Sequence, residues 1–169
     1  MNVKNDISIR VFKKSDRTLL AKYANNNKFR KNLRDIMPYP YTLKDADSFI
    51  EIALLEDPTL TFAITLNKKI VGVCGLNLQT DIYRESCEIG YWVAEPFWGN
   101  GIATTALNLL TDYAFTTLEK ERVYTGVFDY NLASQKVLEK CGYKKEGVFK
   151  NALIKDGKLY DEVRYARLR

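Results

Sequence analysis

Histidine is absent from all 169 residues. That excludes a triad with a histidine base and removes the commonest zinc ligand, so acid–base chemistry falls to carboxylates, Tyr, Lys, Ser, Cys or water. Cysteine is scarce: Cys74, Cys87 and Cys141 are odd in number, show no metal spacing and lie inside strand or helix patterns. Reduced, buried thiols in a cytoplasmic protein are expected, with no metal site. No apolar run is long enough for a membrane helix, and Met1-Asn2-Val3-Lys4-Asn5-Asp6 carries no apolar leader core. No repeat, low-complexity tract or linker divides the chain, which reads as a single domain over residues 1–169.

Charge is plentiful but unevenly placed. Residues 1–41 hold ten Lys/Arg against three Asp/Glu, residues 42–119 four against eleven, and residues 120–169 twelve against seven. A uniform basic coat for nucleic acid would not alternate in this way. The cluster Lys28-Phe29-Arg30-Lys31-Asn32-Leu33-Arg34 fits either a contact to RNA or an acidic substrate, or a solvated helix face.

Alternation over Ile7–Phe12 predicts an edge or half-buried strand, and Ser15 then caps a helix carrying Leu19, Leu20 and Tyr23. A basic segment with a short helix leads to the rigid aromatic connector Met37-Pro38-Tyr39-Pro40-Tyr41. Thr42, with Asp45 three residues on, caps a helix through Glu56, although a Glu or Gln would make the fuller box. Strands at Leu60–Leu66 and Ile70–Leu78 flank the turn Asn67-Lys68-Lys69, and Cys87–Val93 follows. The next helix shows Ile102, Ala106, Leu109 and Tyr113 on one line and Ala103, Leu107, Leu110 and Ala114 beside it, a broad buried face. A strand at Arg122–Phe128, a helix at Asn131–Lys140 stopped by Gly142, and strands Tyr143–Ile154 and Leu159–Leu168 around Lys155-Asp156-Gly157-Lys158 complete the order. Hairpins first and helix-linked strands afterwards predict an α+β fold with a mixed, mostly antiparallel sheet and one parallel pair in its middle. Strands that part at such a pair leave a cleft for a thin ligand arm.

The segment Glu95-Pro96-Phe97-Trp98-Gly99-Asn100-Gly101-Ile102-Ala103 joins a strand to a helix. Two glycines one residue apart let backbone N–H groups approach an anion, and the helix start adds partial positive charge. A phosphate-bearing ligand suits this turn; a glycine turn that simply opens a core helix is the other reading. No Lys-Ser or Lys-Thr follows Gly101, so it is not a Walker A loop, and the third glycine of a dinucleotide fold is missing.

Trp98-Gly99-Asn100-Gly101-Ile102-Ala103 resembles the acyl-CoA loop of the GNAT acetyltransferases, Gln/Arg-x-x-Gly-x-Gly/Ala, with Trp in the first position as in the RimJ/RimL-like branch. A second marker, Asn131-Leu132-Ala133-Ser134 running to Gly142-Tyr143, is similar to the Asn-x-x-Ser helix of RimL-like enzymes. The resemblance covers about residue 7 to the end and implies the GNAT fold, with six to seven strands, about four helices and a splayed parallel pair. It implies acetyl-CoA as cosubstrate, with its pyrophosphate on the backbone of Trp98, Gly99, Asn100, Gly101, Ile102, Ala103 and Thr104. The pantetheine arm would run beside Tyr91, Trp92 and Val93 and meet the side chain of Asn131. Lys136 or Lys140 would reach the 3′-phosphate or stand as solvated charges.

The implied reaction is direct acetyl transfer to a primary amine. An alkylamine has a pKa of about 10.4 and needs a base to attack. Glu88 is the expected base through water, or else an exposed strand residue, and an N–H near Trp92 or Val93 the oxyanion donor. Many relatives in the superfamily place a Tyr seven residues after the Asn; here that residue is Leu138, and the resemblance to RimL-like enzymes, which use the Ser three residues after the Asn, implies Ser134 for the acid role. Tyr143 and Tyr91 are weaker candidates. Phe29, Tyr39, Tyr41 and Glu88 are expected to meet the acceptor, with the hairpin after Lys155. The branch suggests a peptide N-terminus, with ribosome contact and a monomer or homodimer. The alternatives are a small amine such as a polyamine or aminoglycoside, kept open by Asp81, Glu85, Glu88 and Glu95, or a non-catalytic acyl-CoA-binding regulatory domain.

Overall fold

A computed structural model describes residues 6–169; the reading of Met1–Asn5 as lacking a leader core lies outside them. The elements are β1 (Ile7–Arg10), α1 (Arg17–Ala24), α2 (Asn27–Arg30), α3 (Leu43–Leu54), β2 (Thr61–Leu66), β3 (Lys69–Leu78), β4 (Ser86–Val93), α4 (Ile102–Thr116), β5 (Arg122–Phe128), α5 (Leu132–Lys140), β6 (Lys144–Lys155) and β7 (Lys158–Leu168), with three short 3₁₀ turns. The strands form one mixed seven-stranded sheet in the order β1-β2-β3-β4-β5-β7-β6, and β4–β5 is its parallel pair. The expected architecture stands, with five helices where about four were anticipated. No helix among the described residues is long and apolar enough to cross a membrane.

Two compact units partition these elements. The first holds the described residues up to Gly75 together with Tyr91–Leu109; the second holds Leu76–Gly90 and Leu110–Arg169. In the first, Phe12, Leu20, Ala24, Ala46, Ile50, Ala63, Ile70 and Val73 form a buried cluster, against which Trp92 packs. In the second, Leu110, Val123, Leu138 and Tyr165 are buried almost completely.

Local chemistry explains the joints. Asn67 and Lys68 both take positive φ, as do Asp156 and Gly157, which gives two tight hairpins; the first is one residue shorter than expected, since Lys69 already belongs to β3. Thr42 caps α3, and Asp45 closes the box: its carboxylate accepts the Thr42 N–H at 2.7 Å while Thr42 Oγ1 accepts the Asp45 N–H at 3.2 Å. The shorter acid therefore does what a Glu was expected to do. Ser15 does not cap α1. It lies in a 3₁₀ turn, and Asp16 sits at the N-cap, accepting the Lys13 N–H at 2.8 Å and both guanidinium arms of Arg10 at 2.7 and 2.8 Å. On α4 the buried stripe is Ile102, Ala106, Leu107, Leu110 and Ala114, whereas Leu109 is exposed.

Candidate active site

In the first unit, β4 ends where Ala94 N–H donates to Val71 O at 2.8 Å. The approach to β3 is close enough that a Cβ on Gly72 would fall 2.3 Å from Trp92 O and 3.0 Å from Val93 Cα. Glycine at 72 is thus what lets the Trp92–Val93 backbone lie there. Pro96 is the second residue of the following 3₁₀ turn, Glu95–Phe97, and Trp98 N–H closes it on Glu95 O at 3.1 Å. The indole of Trp98 turns back, its Nε1–H donating to Val93 O at 2.6 Å. Asn100 Nδ2 donates to Phe97 O at 3.2 Å and Trp98 O at 3.1 Å. The residue standing in place of the family's Gln/Arg is therefore a strap that fixes the loop.

Gly99 and Gly101 have φ of +79° and +74°, and a Cβ at either would meet nothing within 4 Å. Both residues are exposed, so the cradle is open. The first helical bond of α4 runs from Thr105 N–H to Gly101 O at 3.0 Å. The N–H groups of Gly99, Gly101, Ile102 and Ala103 find no backbone acceptor among the described residues. Trp98 N–H is already used by Glu95 O, so the anion-ready run begins at Gly99. Free amides at a helix start, with no side chain in the way, fit a diphosphate.

The basic segment is tied to this turn. Glu95 Oε2 accepts from Asn26 Nδ2 at 2.7 Å, and Oε1 pairs with Lys28 Nζ. These bonds, Lys28 first, hold the Glu95 carboxyl below its ordinary range. Phe29 is buried and stacks on Trp92, centroids 5.0 Å apart with planes 6° from parallel. Tyr41 is buried in the core, its N–H donating to Asn25 Oδ1 at 2.7 Å and its carbonyl accepting from Asn25 Nδ2. Tyr39 is exposed, with the Arg30 guanidinium 4.6 Å above its ring. Of the three aromatics expected to meet the acceptor, only Tyr39 presents its ring to solvent.

In the second unit the parallel ladder is short. Ser86, Cys87 and Glu88 pair with Arg122, Val123 and Tyr124, and there the pairing stops. β5 continues alone against β7, out to Phe128↔Glu162. Glu88 is half-buried at the last rung. Asn131 caps α5, its Oδ1 accepting the Ser134 N–H at 3.2 Å, so the two residues of the Asn-x-x-Ser marker are bonded to each other. Both are half-buried, whereas Lys136 and Lys140 are exposed. Leu138 is fully buried, and Tyr143 is buried with its hydroxyl 2.6 Å from Thr111 Oγ1. Burial drives the ionisation of Tyr143 far up, against the opposing bond from Thr111. Near the end of β5, Phe128, Tyr130 and Tyr160 meet ring to ring at 5.0–5.7 Å. Tyr130 and Tyr160 line a cavity of about 280 Å³ with Asp129, Lys158, Leu159 and Asp161.

Residues 6–144 match the Acetyltransferase (GNAT) domain family. The uncharacterized N-acetyltransferase p20 of Bacillus licheniformis is 28% identical over 167 residues, 96% of this chain and 93% of its own. The [ribosomal protein uS5]-alanine N-acetyltransferase of Escherichia coli is 28% identical over 96 residues, 57% of this chain and 50% of its own. Among solved structures, Mycobacterium smegmatis RimJ in complex with a CoA disulfide superposes with a TM-score of 0.85 at 26% identity, covering 96% of this chain and 81% of that one. The microcin C7 self-immunity acetyltransferase MccE, in complex with acetyl-CoA and AMP, gives 0.84 at 26% identity, covering 100% and 96%. The chain belongs to the GNAT acetyltransferase family and is an N-acetyltransferase of that type that uses acetyl-CoA.

Proposed function

We propose that this single-domain enzyme acetylates the α-amine at a protein or peptide N-terminus. One observation carries the donor half: two positive-φ glycines beside unpartnered amides at the start of α4, with nothing standing over them. Gly99, Asn100, Gly101, Ile102, Ala103 and Thr104 bind the pyrophosphate, with Trp98 holding the loop by its indole bond. Tyr91, Trp92 and Val93 receive the pantetheine arm, and Asn131 and Ser134 bind it from α5. Acetyl-CoA brings the thioester; this chain's residues align it and manage protons.

Glu88 takes the amine's proton through a water, at the rung where the β4–β5 ladder ends. Ser134 donates a hydrogen bond to the departing sulfur. A thiol of pKa about 8.5 leaves readily, so a weak donor there is sufficient. Alignment of amine and thioester contributes several kcal/mol to lowering the barrier.

The acceptor assignment is supported by the E. coli relative, which acts on a ribosomal-protein alanine, and by the basic setting of this chain. A polyamine would want free carboxylates. Glu95 is instead engaged by Lys28 and Asn26, and Glu85 lies 3.8 Å from Arg84 on an exposed turn. An acetyl-CoA turnover screen against Ala- and Ser-initiated peptides, spermidine and an aminoglycoside tests the reading. CoA release with the peptides is expected, reduced at least about tenfold in Glu88→Gln and Ser134→Ala. Binding of acetyl-CoA with no turnover on any amine would favour a regulatory domain instead.

A further inference from the structure

The proposed chemistry leaves one carboxylate unused. Tyr124, Gly126 and Phe128 alternate on one face of β5, away from Val123, Thr125 and Val127, which are buried. Glu88 pairs with Tyr124 and Glu162 with Phe128, so Glu88 and Glu162 present to that same face. Gly126 is the first residue on this face beyond the last β4–β5 rung. A Cβ built there would lie 2.4 Å from Glu162 Cδ, 2.7 Å from Oε1 and 2.8 Å from Cγ. The carboxylate of Glu162 therefore occupies the space a side chain at 126 would fill.

The environment of that carboxylate is lopsided. Its side chain is only 12% exposed. Oε1 meets two nitrogens of Arg164, Nε at 2.8 Å and a terminal one at 2.5 Å. Oε2 has no hydrogen-bond partner among the described residues, yet it is not among the buried polar atoms left without one. Oε2 is therefore reached from solvent, on a side chain that is otherwise buried and fixed through its other oxygen. An open oxygen on an anchored carboxylate is a receptor for a charged donor.

We infer that Glu162, given room by Gly126 and steered by Arg164, is the residue that recognises the acceptor's ammonium group before Glu88 deprotonates it. The inference rests on the amine-transfer reading above and narrows its substrate class. Other cations crowd this unit: Arg122 pairs with Glu146, Lys150 with Asp161, and Lys158 lies over the Tyr160 ring. One open carboxylate oxygen beside an Arg suits one ammonium with a neighbouring carbonyl, as at a peptide N-terminus. A polycation would find the neighbouring carboxylates Glu146 and Asp161 already held by Arg122 and Lys150.

The test is steady-state acetyl transfer from acetyl-CoA to an Ala-initiated peptide and to spermidine, in wild type, Glu162→Gln, Glu162→Asp and Gly126→Ala. Expected in Glu162→Gln is a rise of about tenfold or more in the peptide KM, with the acetyl-CoA KM unchanged. Glu162→Asp recovers part of the loss, and Gly126→Ala reproduces it by displacing the carboxylate. A merely structural pair would instead lower stability and leave the peptide KM alone, and that outcome overturns the inference. A wild type that uses spermidine at lower KM than the peptide overturns the substrate class. If wild type releases CoA with neither amine while still binding it, the transfer reading fails and takes this one with it. Glu162→Gln decides the matter even if Gly126→Ala does not fold.

Discussion

Trp98 donates its indole N–H to the carbonyl of Val93 at 2.6 Å, so the end of β4 and the glycine turn that follows it are clasped by one bond. In Trp98→Phe an aromatic ring remains but the indole N–H is lost, leaving Val93 O without that donor. A neutral hydrogen bond of this kind contributes about 1 kcal/mol. For a chain of this length that is a drop of about 2–4 °C in Tm. Affinity for CoA should fall several-fold as the loop loosens. Thermal denaturation with calorimetric CoA titration checks both.

Gly72→Ala should be more damaging, although the substitution is small. The new methyl would meet the Trp92 carbonyl at 2.3 Å, and backbone cannot swing aside as a side-chain end can. Overpacking of this sort costs about 1–3 kcal/mol. The displaced segment is the one assigned to the pantetheine arm, so kcat should fall together with Tm. Circular-dichroism melting beside a turnover assay reads the two effects.

Tyr143→Phe separates packing from proton transfer. The hydroxyl is buried and already bonded to Thr111, so its loss should cost about 1 kcal/mol of stability and leave kcat within about twofold of wild type. Ser134→Ala should show the opposite balance. A comparison of urea midpoints and kcat for the two variants decides between the two hydroxyls as proton donors.

Acid stability should depend on Asp16. Burial alone would push its carboxyl up, but the Arg10 guanidinium and the Lys13 N–H overcome that and hold it below its ordinary value. A carboxyl depressed in the folded state stabilises fully above the unfolded value of about 3.9, and that stability is lost as pH falls through the folded value. Asp16→Asn should therefore be less stable than wild type at pH 7, and the gap should narrow below about pH 4. Denaturant melts at pH 7, 5, 4 and 3 measure it.

Much of this was legible from residues whose signals are local. Asn67-Lys68 and Asp156-Gly157 announced their hairpins through turn chemistry, and period-two runs located the strands. Gly99 and Gly101 marked an open turn before α4 because positive φ is a demand few other residues meet. What escaped depended on partners distant along the chain. Ser15 falls inside a 3₁₀ turn that Asp16 closes on Lys13 N–H while Arg10 of β1 grips the same carboxylate, and a choice between adjacent polar residues carries no local signal. Phe29 looked like a ligand contact within a basic run, but Trp92 covers it. Glu162 was passed over because a charged residue on a strand face is ordinary. Gly126 inside a β-branched and aromatic strand was the available hint, since such a glycine marks a close approach.

The central claim is that amides from Gly99 onward hold the diphosphate of CoA, and one calorimetric comparison tests it. Wild type should bind CoA, while Gly101→Val, strained at φ +74° and carrying a side chain into the cradle, should bind at least about tenfold more weakly with its fold intact by circular dichroism. Equal affinity in the two proteins, or no heat from wild type, would contradict it.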